Sequence, residues 1–168
     1  MRIFKDRVAF VTGGASGIGY GMVQNFLKLG MKAVIVDFNA AYLAELRPAL
    51  RGRPDVHLLQ ADVGDRDQVR AAAQEAVGVF GRIHVLCNNA GIGGGGDTHD
   101  PDFDAWDRAL RVNLCGVVNC TKIIAPLIIG HGEGPEQECA REKPENPAAQ
   151  AAGRLIRRAR RTPSMAAC

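Results

Sequence analysis

Short apolar runs alternate along the chain with longer segments in which apolar residues recur every three or four positions. The short runs are typical of buried strands, and they cover Val8–Val11, Ala33–Val36, Val56–Gln60 and His84–Cys87. The helical spacing extends from Ile18 to Leu29, from Ala40 to Leu50, from Asp67 to Phe80, and onward from Phe103. Strands that alternate with helices in this way predict an α/β protein with a parallel sheet.

The first apolar run leads into a glycine-rich loop that is followed at once by a helix. The loop contains Gly13, Gly14, Gly17 and Gly19, and Ile18 opens the amphipathic segment. Glycines let the backbone turn tightly and approach a ligand, while a helix N-terminus offers free N–H groups and the positive end of the helix dipole. The pattern therefore predicts a site for a dinucleotide pyrophosphate, with a plain turn as the alternative.

An acidic residue, Asp37, stands at the end of the second predicted strand, about 20 residues after the glycines. A carboxylate at this place can accept hydrogen bonds from both hydroxyls of the adenosine ribose and would repel a 2′-phosphate. The glycine loop contains no Lys or Arg, and Phe38 follows the carboxylate. We therefore expect NAD rather than NADP as the cofactor. The alternative is an ordinary surface aspartate in a turn.

Composition limits the classes of function that remain. The chain has 168 residues, of which 46% are hydrophobic, and this favours one domain with a buried core. A net charge of +3 is too small to indicate nucleic-acid binding. The five cysteines lack C-x-x-C spacing, so neither a disulfide framework nor a metal site is expected. We find no signal sequence and no apolar run near the ~18 residues of a membrane span, and we expect a cytoplasmic protein without membrane contact.

Three motifs occur in a fixed order along the first 134 residues. They are Thr-Gly-x-x-x-Gly-Ile-Gly at positions 12–19, Asn-Asn-Ala-Gly at 88–91 and Asn-x-x-Gly at 113–116. Together they resemble the short-chain dehydrogenase/reductase family over about residues 5–134. The resemblance implies a doubly wound, Rossmann-like parallel sheet, here cut to four strands in the order 3-2-1-4, in a domain covering 1–130. It also implies an NAD(P)-dependent oxidoreductase that transfers hydride between the cofactor and a small alcohol or carbonyl compound.

The resemblance also assigns roles to individual residues. Asp62 and Val63 would meet the adenine ring, although Asp62 could instead cap a helix, as could Asp65 or Asp67. Asn113 is implied as the member of the catalytic tetrad that holds a proton-relay water; the alternative is a buried asparagine with a structural role. The complete set of expected cofactor-binding residues is Gly13, Ser16, Gly17, Ile18, Gly19, Asp37, Asp62, Val63, Asn89, Ala90 and Gly91.

The family pattern stops near residue 134. The family next has a strand ending in serine and then Tyr-x-x-x-Lys, but the two tyrosines here, Tyr20 and Tyr42, are followed four positions later by Gln24 and Leu46. The segment 131–168 is rich in Pro, Glu and Arg and is predicted to be a disordered tail, which an out-of-frame or alternatively joined sequence would explain. We therefore expect the chain as written to be inactive. The alternatives are a non-catalytic dinucleotide-binding or interaction module, pairing with itself or a relative through helix 113–129, and a product without a stable fold.

Overall fold

The protein is described by a computed structural model that covers residues 4–94, 96–97 and 99–130. The predicted tail 131–168 lies outside the described residues. The elements follow one another as strands β1 (Val8–Thr12), β2 (Lys32–Asp37), β3 (Val56–Gln60) and β4 (Val85–Cys87), alternating with helices α1 (Gly17–Lys28), α2 (Ala40–Leu50) and α3 (Arg66–Phe80). A two-residue pair, β5 (Gly96–Asp97) and β6 (Asp100–Pro101), then precedes α4 (Phe103–Leu110), a π-helical turn (Arg111–Cys115) and α5 (Gly116–Gly130).

Strands β1 to β4 form one parallel sheet in the order β3-β2-β1-β4, as the family resemblance implied. Successive residues of a strand point to opposite faces, so β1 supplies both layers of the core. Ala9 and Val11 pack with Val23 of α1 and Leu43 of α2. Phe10 packs on the other face with α3 and α5 residues such as Ile124. This two-sided burial explains why the strands are continuously apolar rather than alternating.

Side-chain caps begin α2, α3 and α4, through Asn39, Asp65 and Asp102. Pro101 lies in β6, and Asp102 caps α4 by accepting a hydrogen bond from Ala105 N (2.9 Å). Pro48 and Pro126 lie inside α2 and α5, both in the C-terminal half of the helix. The helical periodicity of the sequence therefore continues past both prolines.

Helices α4 and α5 are continuous through the π turn and span 28 residues, Phe103–Gly130. By length and composition alone this is the one helix among the described residues that is long and apolar enough to cross a membrane. The sequence estimate missed it because polar residues such as Asn113 and Asn119 interrupt the apolar run. Core helices of sheet proteins have the same composition, and Cys120 and Ile124 of α5 are fully buried on the sheet, so length and composition alone do not indicate a membrane span.

Candidate functional site

The site is a cavity of about 590 Å³ at the carboxyl ends of the parallel strands. In an open parallel sheet this edge, at the point where the strand order reverses, is where ligands bind. Every cofactor-binding residue predicted from the sequence lines the cavity. They are Gly13, Ser16, Gly17, Ile18, Gly19, Asp37, Asp62, Val63, Asn89, Ala90 and Gly91.

The floor of the cavity is a hydrogen-bonded joint between the ends of β1 and β4. The Thr12 hydroxyl donates to Cys87 O (3.2 Å) and accepts from the backbone N–H groups of Asn89 (3.0 Å) and Ala90 (3.1 Å). The Asn89 side-chain amide in turn donates to the carbonyl oxygens of Thr12 and Gly13, each at 3.0 Å. Asn89 of the Asn-Asn-Ala-Gly motif thus braces the ends of β1 and β4 against each other.

The glycine loop packs against this joint so closely that one position has no room for a side chain. A Cβ atom on Gly19 would overlap the carbonyl oxygen of Gly13 and would lie 2.5 Å from Asn89 Nδ2. Real Cβ atoms do not approach other atoms this closely, so the first turn of α1 can lie on the loop only because residue 19 is glycine. The approach of α1 brings its N-terminus to the wall of the cavity.

The N-terminus of α1 differs from those of the next three helices. Asn39, Asp65 and Asp102 accept hydrogen bonds from first-turn N–H groups of α2, α3 and α4. Ser16 is the N-cap residue of α1, but its side chain makes no capping hydrogen bond, and the first turn contains no acidic residue. The N–H groups and the positive end of this helix dipole are therefore available to an anion in the cavity.

The Asp37 carboxylate ties the end of β2 to the glycine loop. Its Oδ2 accepts a hydrogen bond from Ala15 N (3.1 Å), and its Oδ1 accepts one from Asn39 N (3.0 Å). Each oxygen retains a further lone pair, since a carboxylate offers about four acceptor positions, and Asp37 lines the cavity. Asp37 is therefore held in place by the backbone while remaining able to accept hydrogen bonds from a ligand.

The structure separates the roles that the sequence left open for the aspartates after β3. Asp65 is the N-cap of α3 and accepts from Asp67 N (2.9 Å) and Gln68 N (3.2 Å). Hydrogen bonds from Gln68 backbone and side chain, and then from Asp67 N, lower the pKa of Asp65. Asp62 is nearly buried on the cavity wall and does not cap the helix. The adenine role therefore remains available to Asp62.

Asn113 lies beside the cavity rather than on its wall. Its Nδ2 donates to Ile92 O and its Oδ1 accepts from Ile92 N, each at 2.9 Å. The side-chain amide is thus committed to the loop that follows Gly91. It stands in the π turn, where Gly116 N donates to Arg111 O, and such turns are frequent at functional sites. The proton-relay role implied for Asn113 stays a prediction.

Several wall residues were not anticipated from the sequence. Arg108 and Arg111 reach the cavity from the helix that follows the second glycine-rich segment, and Tyr42 reaches it from α2. Helical spacing places positions 108 and 111 on one face, but nothing in the sequence shows which strand end that face meets. The remaining unpredicted wall residues are Val36, Phe38, Asn39, Ala61, Ile92 and Val112.

Comparison with known proteins gives a consistent result. A family model described as short chain dehydrogenase matches residues 7–135. The chain is 36% identical over 137 residues to 3beta-hydroxysteroid dehydrogenase 2 of Eggerthella lenta, covering 79% of this chain and 52% of that protein. It is also 36% identical over 134 residues to a C alpha-dehydrogenase of Sphingobium, covering 79% of this chain and 44% of that protein.

Solved structures agree. A short chain dehydrogenase/reductase from Burkholderia phymatum in complex with NAD superposes with a TM-score of 0.73 at 35% identity, covering 79% of this chain and 48% of that one. A 3-ketoacyl-(acyl-carrier-protein) reductase from Brucella melitensis complexed with NADH gives 0.70 at 32% identity, covering 77% of this chain and 53% of that one. The chain spans about half the length of the relatives it matches. The match over residues 7–135, on a sheet and cavity of the expected form, shows that the chain belongs to the short-chain dehydrogenase family.

Proposed function

We propose that this chain forms the NAD-binding half of an oxidoreductase that transfers hydride between NAD and an alcohol or ketone. The observation that carries the proposal is the cavity, which is lined by every predicted cofactor residue and by the uncapped N-terminus of α1. Two similar proteins support the proposal: the Burkholderia phymatum structure is in complex with NAD, and the Eggerthella lenta relative is named as a hydroxysteroid dehydrogenase.

The residues of the cavity fit the parts of the cofactor. The free N–H groups at the start of α1 donate to the pyrophosphate, and Asp37 accepts from the adenosine ribose hydroxyls. Asp62 would accept from the exocyclic amine of adenine, and Val63 would pack against the ring. The backbone at Ala90 and Gly91 would hold a ribose of the cofactor. When bound, NAD supplies the hydride acceptor, while these side chains only bind and orient it.

The preference for NAD rests on the charge of Asp37. A 2′-phosphate would be repelled by the Asp37 carboxylate. Hydrogen bonds from Ala15 N and Asn39 N hold this carboxylate in place, so it could not rotate away from the phosphate. Substitution Asp37→Asn removes the charge and keeps an oxygen acceptor. We expect it to raise the NADP affinity relative to NAD, measured by calorimetric titration of both cofactors. An unchanged ratio would remove Asp37 as the basis of cofactor choice.

These 168 residues contain Asn113 but lack the serine and the Tyr-x-x-x-Lys motif that the family has after the Asn-x-x-Gly motif. The serines here are Ser16 and Ser164, and neither tyrosine is followed by lysine four positions later. We therefore expect binding without turnover. NAD at 100 times its dissociation constant should stabilise the fold by about 2.7 kcal/mol. NADH oxidation should not exceed the protein-free rate against a panel of carbonyl compounds. Clear protein-dependent turnover would refute the predicted inactivity, and no thermal shift at millimolar NAD would refute the binding site.

An interaction module is the second candidate, and one observation favours it. The helix spanning 103–130 exposes a row of large apolar side chains at helical spacing: Phe103, Trp106, Leu110, Leu114 and Val118. An uncovered apolar stripe of this kind is typical of a protein–protein contact. Light scattering after gel filtration tests it: a dimer that Leu114→Glu converts to a monomer supports pairing through this helix, and a monomeric wild-type chain argues against self-pairing.

A further inference from the structure

Arg111 holds the Asp62 carboxylate on the wall of the cavity. Its Nη2 donates to Asp62 Oδ2 at 2.7 Å, and Gly64 N donates to Asp62 Oδ1 at 2.8 Å. Each carboxylate oxygen is therefore fixed by one protein donor. A further lone pair on each oxygen remains for a ligand. The two donors approach from different elements, so they determine the rotation of the carboxylate about its Cβ–Cγ bond.

The path of the Arg111 side chain is itself built into the fold. A Cβ atom at position 64 would lie 2.8 Å from Arg111 Cγ and 3.0 Å from its Nε, so a side chain larger than glycine would displace the arginine. Farther along the same helix, Asn119 Nδ2 donates to Val63 O at 3.0 Å, and Asn119 Oδ1 accepts from Arg66 Nε at 3.2 Å. The helix thus contacts the segment after β3 at Asp62, Val63 and Arg66.

We propose that Arg111 is a positioning residue that aims Asp62 at the exocyclic amine of adenine. The proposal rests on the proposed function, in which Asp62 accepts from that amine. A free carboxylate at the cavity wall would rotate and turn toward solvent, and binding would then carry the cost of ordering it. With Arg111 in place, that ordering is complete before the cofactor arrives. Loss of Arg111 therefore weakens discrimination for the amine more than it weakens binding in general.

The test compares NAD with nicotinamide hypoxanthine dinucleotide, in which a carbonyl oxygen replaces the amine. Wild-type protein is expected to bind NAD more tightly by about tenfold or more, because a hydrogen bond to a charged acceptor is exchanged for repulsion between two oxygens. Arg111→Met keeps the apolar stem over Gly64 and removes the guanidinium. It is expected to reduce this ratio to less than about threefold. Arg111→Lys restores one donor and is expected to restore part of the ratio.

Arg108→Met is the matched control, because Arg108 lines the same cavity three residues earlier and pairs with Asp102 (3.7 Å) instead. It should weaken both dinucleotides equally by removing positive charge. If Arg111→Met behaves in the same way and keeps the wild-type ratio, Arg111 contributes charge only and the proposal is wrong. If wild-type protein binds both dinucleotides equally, Asp62 does not recognise the amine. If it binds neither, the proposed function fails instead. Thermal melts of each variant show whether the fold is retained.

Discussion

The N-termini of α1 and α3 lie at the same edge of one sheet but are completed in opposite ways. Asp65 closes α3 from within the chain, with hydrogen bonds to two first-turn N–H groups. Ser16 occupies the equivalent position before α1, but its side chain makes no capping hydrogen bond. Ile18, in the first turn of α1, is 80% exposed. A helix end whose N–H groups are capped by the chain itself stabilises the fold with or without a ligand. An uncapped end stabilises the fold only when an anion binds to it. The difference distinguishes a structural helix start from a binding site.

The largest effect on stability and binding is expected from a side chain at Gly19, where α1 packs against Gly13 and Asn89. Gly19→Ala forces α1 away from Gly13 and Asn89, and we expect it to lower the unfolding free energy by about 1–3 kcal/mol and to abolish NAD binding. Denaturant melts and calorimetry measure the two effects. Gly21→Ala is the matched control, since its Cβ meets nothing within 4 Å. It should stabilise α1 by about 0.5–1 kcal/mol and leave binding intact. Equal behaviour of the two variants would contradict the close-packing argument.

A second expected effect is ligand protection of a buried thiol. Cys120 of α5 is fully buried against the sheet, and burial raises its pKa to about 11, so it reacts only when the fold opens. NAD at 100 times its dissociation constant should therefore slow the labelling of Cys120 about 100-fold. Cys115 is exposed and serves as the internal control. Mass spectrometry of the alkylated peptides reads both sites, and a Cys120 rate that ignores NAD would show that it reacts through a local opening.

A capping side chain at the N-terminus of α1 should stabilise the fold and weaken NAD binding. Ser16→Asp supplies the cap that α3 already has, and we expect the unfolding free energy without ligand to rise by about 0.5–1 kcal/mol. The same carboxylate would oppose the pyrophosphate, so NAD affinity should fall by more than about tenfold. Ser16→Asn caps without charge and should cost less affinity for a similar gain in stability. A Ser16→Asp protein that binds NAD normally would show that the pyrophosphate does not lie at this helix end.

The smallest effect is expected from opening α3. Asp65→Ala should lower the melting temperature at pH 7 by roughly a few degrees without changing NAD affinity. Hydrogen bonds lower the pKa of Asp65 in the folded state, so its contribution is present above the unfolded value of about 3.9 and is lost as pH falls through the folded value. The difference between wild type and variant should therefore disappear in acid. A difference that persists there would point to a cause other than the carboxylate.

Much of the site was predictable from sequence because its residues belong to short motifs at strand ends. The positions of the strands and of Asp37 follow from the spacing of the apolar runs and the glycines, the strand order follows from the family resemblance, and the structure brings the predicted residues to one cavity. Arg111 was not predictable, because its partner Asp62 is 49 residues away and the contact depends on how the π turn rotates the helix.

The joint between Thr12 and Asn89 has a consequence for the order in which the chain folds. Pairing of β1 with β2 joins residues 24 positions apart, as Val8 with Lys32, whereas the Thr12–Asn89 contacts span 77 positions. Closing the longer loop costs more chain entropy, so β1, β2 and β3 with their helices are expected to assemble before β4 docks. On a ribosome, the first 60 residues could form three strands but no cofactor site. Competence to bind NAD would thus arise in the final step of folding, and the cofactor would select only molecules that have completed it.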